Sequence, residues 1–268
     1  MRHALVAFAT LAVLYGAVAQ ISSPYLPRRV WMGAHYIENV EFLPTYGSLA
    51  TETVFLLRSG TLMGGVLVSG GRVLAGVLAG TTVGLVVGLA AAAEPRMGAL
   101  LLPWVTLVRF AAALALLPLY VLWFGVGELA RILLITTGVG AVVSLGVLQG
   151  ASGVPRVYLE AAAVLGLPRA MTWRRVVLPC ALPEIFSSVR IGVALAWTTM
   201  VVAELIDPHS PSLGYLLTLA ATYPRVSTIV IGIVAIGLVV LASDRLLLAV
   251  HGRATGWMAR REAHAHLA

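Results

Sequence analysis

The stretch of sequence that decides the fold is Glu160-Ala-Ala-Ala-Val-Leu-Gly166-Leu-Pro168-Arg169-Ala-Met-Thr-Trp173-Arg174-Arg175-Val176-Val-Leu178-Pro179. Residues 160–165 are good helix formers, Gly166 can supply the left-handed residue that ends a helix, and Pro168 suits the first turn of the next helix. Leu178-Pro179 is expected to end this second helix, before a further break at Pro183. The stretch therefore predicts a short helix, a sharp turn and a second short helix, and it is too polar to cross a membrane.

The chain around this stretch is strongly apolar. Of its 268 residues, 60% are hydrophobic and 11% are charged, and the mean hydropathy is +0.96. A soluble domain carries about 25% charged residues, and a soluble fold of this length could not bury so much apolar surface. Because the apolar runs recur from end to end, we predict a single domain, an all-α membrane bundle of about six transmembrane helices.

Six segments have about the length of 20 mostly apolar residues, or more, that a membrane span needs. They are residues 5–21, 73–93, 97–123, 129–149, 185–206 and 226–250. The first resembles a cleavable signal peptide, which would leave five spans, but we expect an uncleaved anchor because the rest of the chain is also membrane-embedded. In the second segment, glycine recurs every four residues from Gly76 to Gly88. This spacing predicts a helix stripe that a neighbouring backbone approaches closely.

The arginines in the short loops predict the orientation. With six spans and a cytoplasmic N-terminus, the C-terminus is also cytoplasmic, and the cytoplasmic arginines are Arg2, Arg96, Arg156, Arg169, Arg174, Arg175, Arg253, Arg260 and Arg261. We accordingly divide the chain into an N-terminal anchor with a non-cytoplasmic loop and surface helix (1–60), a transmembrane core (61–257) with a cytoplasmic loop (155–183), and a cytoplasmic tail (258–268).

Composition and motifs argue against several functions. All 18 basic residues are arginine, so the chain has no lysine for a Walker A motif or for a Schiff base. Cys180 is the single cysteine, which leaves no intrachain disulfide. The six histidines are scattered, without a metal-ligand motif. We therefore expect no catalytic residue, metal site or bound cofactor, and we attribute the net charge of +7 to cytoplasmic arginines, not to nucleic-acid binding.

The stretch at 160–179 resembles the EAA loop of permease subunits in binding-protein-dependent ABC importers. The family pattern is Glu-Ala-Ala, three residues, Gly, nine residues, Ile, one residue, Leu-Pro. The matching positions here are Glu160, Ala161, Ala162, Gly166, Leu178 and Pro179. Val176 stands where the family has isoleucine, a mild departure.

The resemblance implies a transport subunit of the bacterial inner membrane that is not itself an enzyme. In the family, the short helix of the loop lies in a groove of a separate ABC ATPase subunit, which binds ATP and Mg. Ala161 and Ala162 would let the helix sink into that groove, Glu160 would contact a basic ATPase residue, and Gly166 would permit the turn. Further implied partners are a periplasmic or lipid-anchored solute-binding protein and a second copy of this chain or a related permease, all surrounded by membrane lipid.

Further motifs narrow the group. Residues 117–128 look like the Pro-Leu…Trp-Phe-Gly-x-Gly-Glu stretch of nitrate, sulfonate and taurine permeases, and residues 203–215 are similar to their Ala-Glu…Gly-Leu-Gly-Tyr segment. Arg253…Trp257 also fits the end of the family pattern, so the resemblance covers roughly residues 74–257. The family often has a proline soon after the position of Arg109, which is missing here, and Ser212 replaces the first glycine of Gly-Leu-Gly-Tyr. The resemblance implies a small anionic substrate such as a sulfonate, taurine or nitrate.

Three residues are candidates for the translocation path: Arg109, Trp123 and Glu204. Arg109 lies inside a predicted span, where a charge is costly unless it faces a cavity. It would guide an anion, although pairing with an acid or snorkelling to the interface remains open. Trp123 could instead belong to an interface belt. An ion-gradient-driven transporter or channel is the alternative function, and it would need intramembrane carboxylates or broken helices. Glu204, near a span end, is the strongest such carboxylate in the sequence.

Overall fold

The computed structural model describes residues 29–32, 35–38, 44–110, 113–206, 210–223 and 225–265. The predicted first span, 5–21, lies outside these residues. The chain divides into two compact units, residues 1–68 with 204–238 and residues 69–203 with 239–268.

The described residues are almost entirely helical. The helices are α1 (Tyr46–Arg58), α2 (Thr61–Ala93), α3 (Pro95–Phe110), α4 (Leu117–Phe124), α5 (Glu128–Ser152), α6 (Arg156–Val164), α7 (Arg169–Thr172), α8 (Leu178–Ile206), α9 (Leu213–Thr222) and α10 (Val226–Ala265). A 3-10 helix (Ala113–Leu116) precedes α4, and a π-helical turn (Trp173–Val177) precedes α8. Strands β1 (Arg29–Met32) and β2 (His35–Glu38) form a short antiparallel ribbon that the sequence did not predict.

Within the described part of the chain, four helical segments are long and apolar enough to cross a membrane: Thr61–Ala93, Glu128–Ser152, Arg169–Ile206 and Val226–Gly252. They contain the second, fourth, fifth and sixth predicted spans, so the prediction of an all-α membrane bundle is confirmed. The helix that contains the second predicted span is longer than expected. At 1.5 Å per residue its 33 residues extend about 50 Å, against about 30 Å for the hydrocarbon core of a bilayer.

The glycine stripe of α2 packs against β-branched residues of α5 in the larger unit. Gly76, Gly80, Gly84 and Gly88 face Ile135, Val139, Val143 and Val147, in that order. A Cβ atom at Gly84 would lie 2.7 Å from the Val143 Cβ and 2.9 Å from the Gly140 carbonyl oxygen. The two backbones are thus closer than any side chain on α2 would allow, which confirms the predicted close approach.

This register shows that α2 and α5 run parallel, because residue numbers rise in the same direction on both helices. The chain between them must therefore return across the bundle. The predicted third span, 97–123, makes this return, but it is not one helix as expected: α3 ends at Phe110, and α4 is a separate helix of 8 residues. Pro118 lies in the first turn of α4, and its ring and missing N–H oppose an α-helix through the preceding turn, which is a 3-10 helix up to Leu116.

The next two spans alternate in direction. Gly146 and Gly192 pack against Ser188 and Val139, respectively, so α8 is antiparallel to α5. In the same unit, Phe186 contacts His251 and Arg190 pairs with Asp244, so α8 and this part of α10 are also antiparallel. The C-terminal ends of α2, α5 and α10 and the N-terminal end of α8 consequently lie at one end of the larger unit.

The smaller unit has its own apolar cluster. Leu56 of α1, Leu216 of α9 and Ile231 of α10 are buried together. The Thr228 hydroxyl donates to the Glu52 carboxylate at 2.7 Å, which adds a polar contact between α1 and α10. The predicted surface helix before the second span is therefore present as α1, and it is packed through one apolar face.

Substituting alanine for glycine should have opposite effects at two positions of α2. Gly84→Ala would press a methyl group into Val143 and the Gly140 carbonyl, and we expect it to lower the free energy of unfolding by about 1–3 kcal/mol. Gly70→Ala is the matched control, because nothing lies within 4 Å of a Cβ there and alanine favours helices by about 1 kcal/mol. Thermal unfolding of the purified protein in detergent measures both. Equal shifts at the two positions would contradict the close α2–α5 packing.

Candidate functional site

The loop between α5 and α8 begins with α6, which ends in a defined left-handed turn. Gly166 has φ +65°, and its N–H donates to the Ala163 carbonyl at 3.0 Å. The Leu167 N–H donates to the Ala162 carbonyl, also at 3.0 Å. These two bonds and the positive φ form a Schellman motif. The sequence prediction that Gly166 ends the first short helix is confirmed.

The two faces of α6 differ sharply in exposure. Ala162 is 3% exposed and packs toward its own chain, whereas Val157 and Val164 are 70% and 89% exposed. Glu160 and Ala161 lie on the exposed side with these valines. The structure therefore separates the two alanines that the EAA pattern groups together: Ala161 is available to another molecule, and Ala162 holds the helix in place.

The second half of the loop differs from the sequence prediction. Pro168 precedes α7 as its N-cap, but Leu178-Pro179 does not end the second helix. The helix continues from α7 through the π-helical turn into α8, as one run from Arg169 to Ile206. The wider turn explains this difference, because the Leu178 N–H bonds to the Trp173 carbonyl five residues back and Pro179 then falls in the first turn of α8. Val176, Leu178 and Pro179 are all half-buried.

Arg169 connects this loop to the end of α2. Its Nη2 atom donates to the Ala93 carbonyl at 2.6 Å and lies 3.9 Å from a Glu94 carboxylate oxygen. Ala93 is the last residue of α2, where carbonyl groups lack helical partners and a positive charge is favourable. A cavity of about 380 Å³ lies beside this contact, under α6. Arg169 was not predicted as a site residue, although its position directly after Pro168, at the turn between the two short helices, was a signal for such a role.

The predicted pathway residues occupy three different settings. Arg109 is exposed in the last turn of α3, where the third span is interrupted. Trp123 is 65% exposed near the end of α4. Glu204 belongs to the smaller unit and is 1% exposed; its carboxylate accepts the Gly214 N–H at 2.9 Å.

Glu204 and Gly214 explain the Ala-Glu…Gly-Tyr pattern physically. A Cβ atom at Gly214 would lie 2.3 Å from the Glu204 Cβ, so only glycine fits beside this buried carboxylate at the start of α9. Ser212, which departs from the family pattern, is the N-cap of α9 and accepts the Tyr215 N–H at 3.2 Å. Glu204 thus positions α9.

Two charged clusters in the larger unit escaped the sequence analysis. Arg72 of α2 and Arg131 of α5 are each 4% exposed and share the carboxylate of Glu128. Arg190 of α8 and Asp244 of α10 form a bidentate ion pair. Asp244 lies inside the sixth predicted span and is a second intramembrane carboxylate besides Glu204. Charged residues inside apolar segments were the signal that could have revealed both clusters.

Among the described residues, no three His, Cys, Asp or Glu side chains are grouped closely enough to hold a metal ion.

Comparison with known proteins gives a consistent result. The family model described as "Binding-protein-dependent transport system inner membrane component" matches residues 80–255. The taurine transport system permease protein of Escherichia coli is 37% identical over 169 residues, covering 63% of this chain and 61% of that protein. A putative aliphatic sulfonates transport permease protein of Bacillus subtilis is 29% identical over 245 residues, covering 91% and 88%.

A solved amino acid ABC transporter has the same fold. Its matched chain superposes with a TM-score of 0.65 at 18% sequence identity, covering 75% of this chain and 97% of that one. The family model spans more than half of the sequence and includes the loop, the spans on both sides of it and most of α10. The chain therefore belongs to the inner-membrane components of binding-protein-dependent transport systems, the permease subunits of ABC importers.

Proposed function

We propose that this permease forms the translocation path for a small oxyanion and that α6 couples the path to a separate ABC ATPase. The exposed face of α6, the helix that ends in the Schellman motif at Gly166, is the observation that carries this proposal. The alternative of an ion-gradient-driven transporter or channel is set aside, because the family to which the chain belongs is a component of ABC transport systems.

The chemistry of the exposed face fits insertion into a protein groove. Val157 and Val164 provide apolar contact area, and Ala161 between them leaves room for close approach. Glu160 supplies a carboxylate for a charge-assisted hydrogen bond to a basic residue of the ATPase. Ala162 supports the helix from behind, so its small size serves packing within this chain.

The contacts behind α6 give a route for motion. Arg169 joins the loop to the last carbonyl of α2, and the helix from Arg169 onward runs without interruption into α8. A displacement of α6 on ATP binding would therefore reach two membrane spans. Packed helices of this kind move as rigid bodies, because their interfaces have discrete arrangements. Gly166, Val176, Leu178 and Pro179 lie within this connected segment.

We infer that the loop end of the larger unit faces the cytoplasm. Arg96, Arg156, Arg169, Arg174 and Arg175 all lie in or next to the segments at this end, and short cytoplasmic loops carry excess arginine. If residues 5–21 span the membrane, both termini are cytoplasmic. In this arrangement residues 155–183 form the coupling loop of a core at 61–257, residues 1–60 form the anchor and outer loop, and residues 258–268 form a cytoplasmic tail.

The proposed assembly contains two copies of this chain and two ATPase subunits, because one copy supplies a single coupling loop and about half of a pathway. ATP and Mg bind to the ATPases, this chain is not catalytic, and a periplasmic or lipid-anchored binding protein delivers the substrate. The mass of the purified complex measures the stoichiometry. One copy of this chain without a related permease would contradict the homodimer.

Two arguments support an oxyanion as the substrate. The relatives reported above are named for taurine and aliphatic sulfonates, which carry sulfonate groups. Arg109 sits at the interruption of the third span, and broken helices inside a membrane commonly mark substrate sites. The planar guanidinium presents a fork of N–H donors that can bind two oxygens of such an oxyanion. Trp123 and Glu204 are the other two residues that we propose for the translocation path. Glu204 would act indirectly, because it positions α9.

Replacing Gly166 should uncouple transport. A β-branched residue in the left-handed region costs about 1–2 kcal/mol, which corresponds to a roughly tenfold loss of correctly placed α6. We expect Gly166→Val to lower substrate-stimulated ATP hydrolysis and uptake together while the protein still inserts. Gly60→Val is the matched control, because Gly60 has φ +72° outside the loop. If Gly166→Val supports uptake at the parental rate, the coupling assignment is wrong.

Replacing Arg109 should reduce transport of an anion. We expect Arg109→Gln to lower uptake of taurine or methanesulfonate in proteoliposomes by roughly tenfold, the effect of losing one charge-assisted contact. Arg109→Lys keeps the charge and should retain part of the activity, and neither change should alter substrate affinity of the binding protein. Unchanged uptake by well-expressed Arg109→Gln would remove this residue from the path.

A further inference from the structure

An ion pair joins the fifth and sixth spans of the larger unit. Both groups are bidentate: Arg190 Nη2 donates to Asp244 Oδ2 at 2.9 Å, and Arg190 Nε donates to Asp244 Oδ1. Neither residue took part in the proposed function above. Each lies about five or six residues inside a predicted span, so the pair is within the membrane and near its cytoplasmic side.

The pair is not fully enclosed by its own chain. The Arg190 and Asp244 side chains are 49% and 31% exposed. Charged groups in contact with lipid tails are costly, and intramembrane ionisable residues almost always face a bundle interior or a watery cavity. The open side of this pair is therefore expected to face water or protein.

The surfaces of the two helices support this assignment. The exposed stripe of α8 contains Ser187, Arg190, Ala194 and Thr198, with Ile191 as its large apolar member. The exposed residues of α10 near the pair include Leu241, Leu246 and Val250, together with Arg245. The polar stripe of α8 therefore suits a hydrated path.

A cavity next to the pair has the size and donors for a small oxyanion. Its volume is about 130 Å³, and it is lined by Phe186, Ser187, Arg190, Leu247, Leu248 and His251. At about 30 Å³ per water molecule, this equals the volume of roughly four water molecules. A guanidinium has five N–H donors, of which Asp244 uses two, and Ser187 and His251 add a hydroxyl and an imidazole.

The local charge also favours an anion. Two cations, Arg190 and Arg245, lie close enough to the Asp244 carboxylate to interact with it electrostatically. Glu184, the other acid on this part of α8, lies six residues before Arg190, about 9 Å along the axis and on a different side of the helix.

We propose that this cavity between α8 and α10 is a transient site for the transported oxyanion, at the cytoplasmic end of the path. Arg190 exchanges its contact with Asp244 for one with the anion, while Ser187 and His251 complete the binding shell. The site rests on the proposed function for its role in transport. Competition from Asp244 keeps the affinity low, as a translocation site requires, because a bound substrate must also leave.

The test measures how tightly methanesulfonate binds to the purified permease–ATPase complex in phosphatidylcholine nanodiscs. Saturation-transfer NMR of the methanesulfonate methyl group detects the binding. Arg190→Gln should raise the dissociation constant by about tenfold or more, through loss of a charge-assisted contact. Asp244→Asn should lower it several-fold, because the competing carboxylate is removed. Arg58→Gln, an exposed arginine at the end of α1, is the control and should leave binding unchanged.

The opposite signs distinguish a binding site from a structural ion pair. If the ion pair only stabilises the fold, both substitutions should lower the stability of the protein alike. Loss of methanesulfonate binding in Asp244→Asn would therefore overturn the proposal, even if Arg190→Gln fails to fold. Binding that is unaffected by either substitution would overturn it as well.

The phosphate of a lipid headgroup is also an oxyanion that these residues would bind. A second experiment distinguishes a lipid headgroup from the transported anion. If methanesulfonate does not bind in phosphatidylcholine but Arg190 is needed to retain phosphatidylglycerol during purification, the anion is a lipid headgroup and the transport site is refuted. If the site binds methanesulfonate as expected but the wild-type complex transports no oxyanion, the proposed substrate class fails while the site stands.

Discussion

The close contact between the glycines of α2 and the β-branched residues of α5 is the constraint on which the larger unit depends. Each glycine from Gly76 to Gly88 meets a buried valine or isoleucine, and no side chain would fit at any of them. In a membrane, packing of this kind replaces the hydrophobic effect as the force that joins helices. It fixes the register of two parallel spans and therefore requires the chain between them to cross back, even though the crossing is built from two helices.

Contacts of charged side chains hold this frame at both of its ends. At one end, Arg169 binds the last carbonyl of α2 and holds the loop that presents α6. At the other, Arg72 of α2 and Glu128 at the start of α5 form an ion pair. Under the proposed coupling, the stiff pair of helices between these ends would transmit a displacement of α6, because tight packing does not absorb it. The π-helical turn before α8 is the irregular element in this connection, and such turns are frequent at functional sites.

The sequence predicted the features that depend on local chemistry. Gly166 ends α6 as its left-handed residue, the glycine stripe meets a close neighbour, and the long apolar segments are helices. Two of the features that the sequence did not predict depend on contacts between distant residues. Whether Ala161 or Ala162 faces outward is decided by what lies behind α6, and the Arg190–Asp244 pair joins residues 54 positions apart. The interruption of the third span was readable from Pro118, but the apolar run concealed it. The continuation of α7 into α8 depends on a single wide turn, for which the sequence has no signal.

Proximity of α6 to the ATPase is the most direct test of this account. A benzophenone attached through a cysteine at Val164, in a Cys180→Ser background, should cross-link to the ATPase subunit in the intact complex, because Val164 is 89% exposed on the proposed docking face. The same probe at Val126, which is 58% exposed next to the start of α5 at the opposite end of that helix from the loop, should not cross-link to the ATPase. Cross-linking from Val126 and none from Val164 would contradict both the orientation and the coupling role of α6.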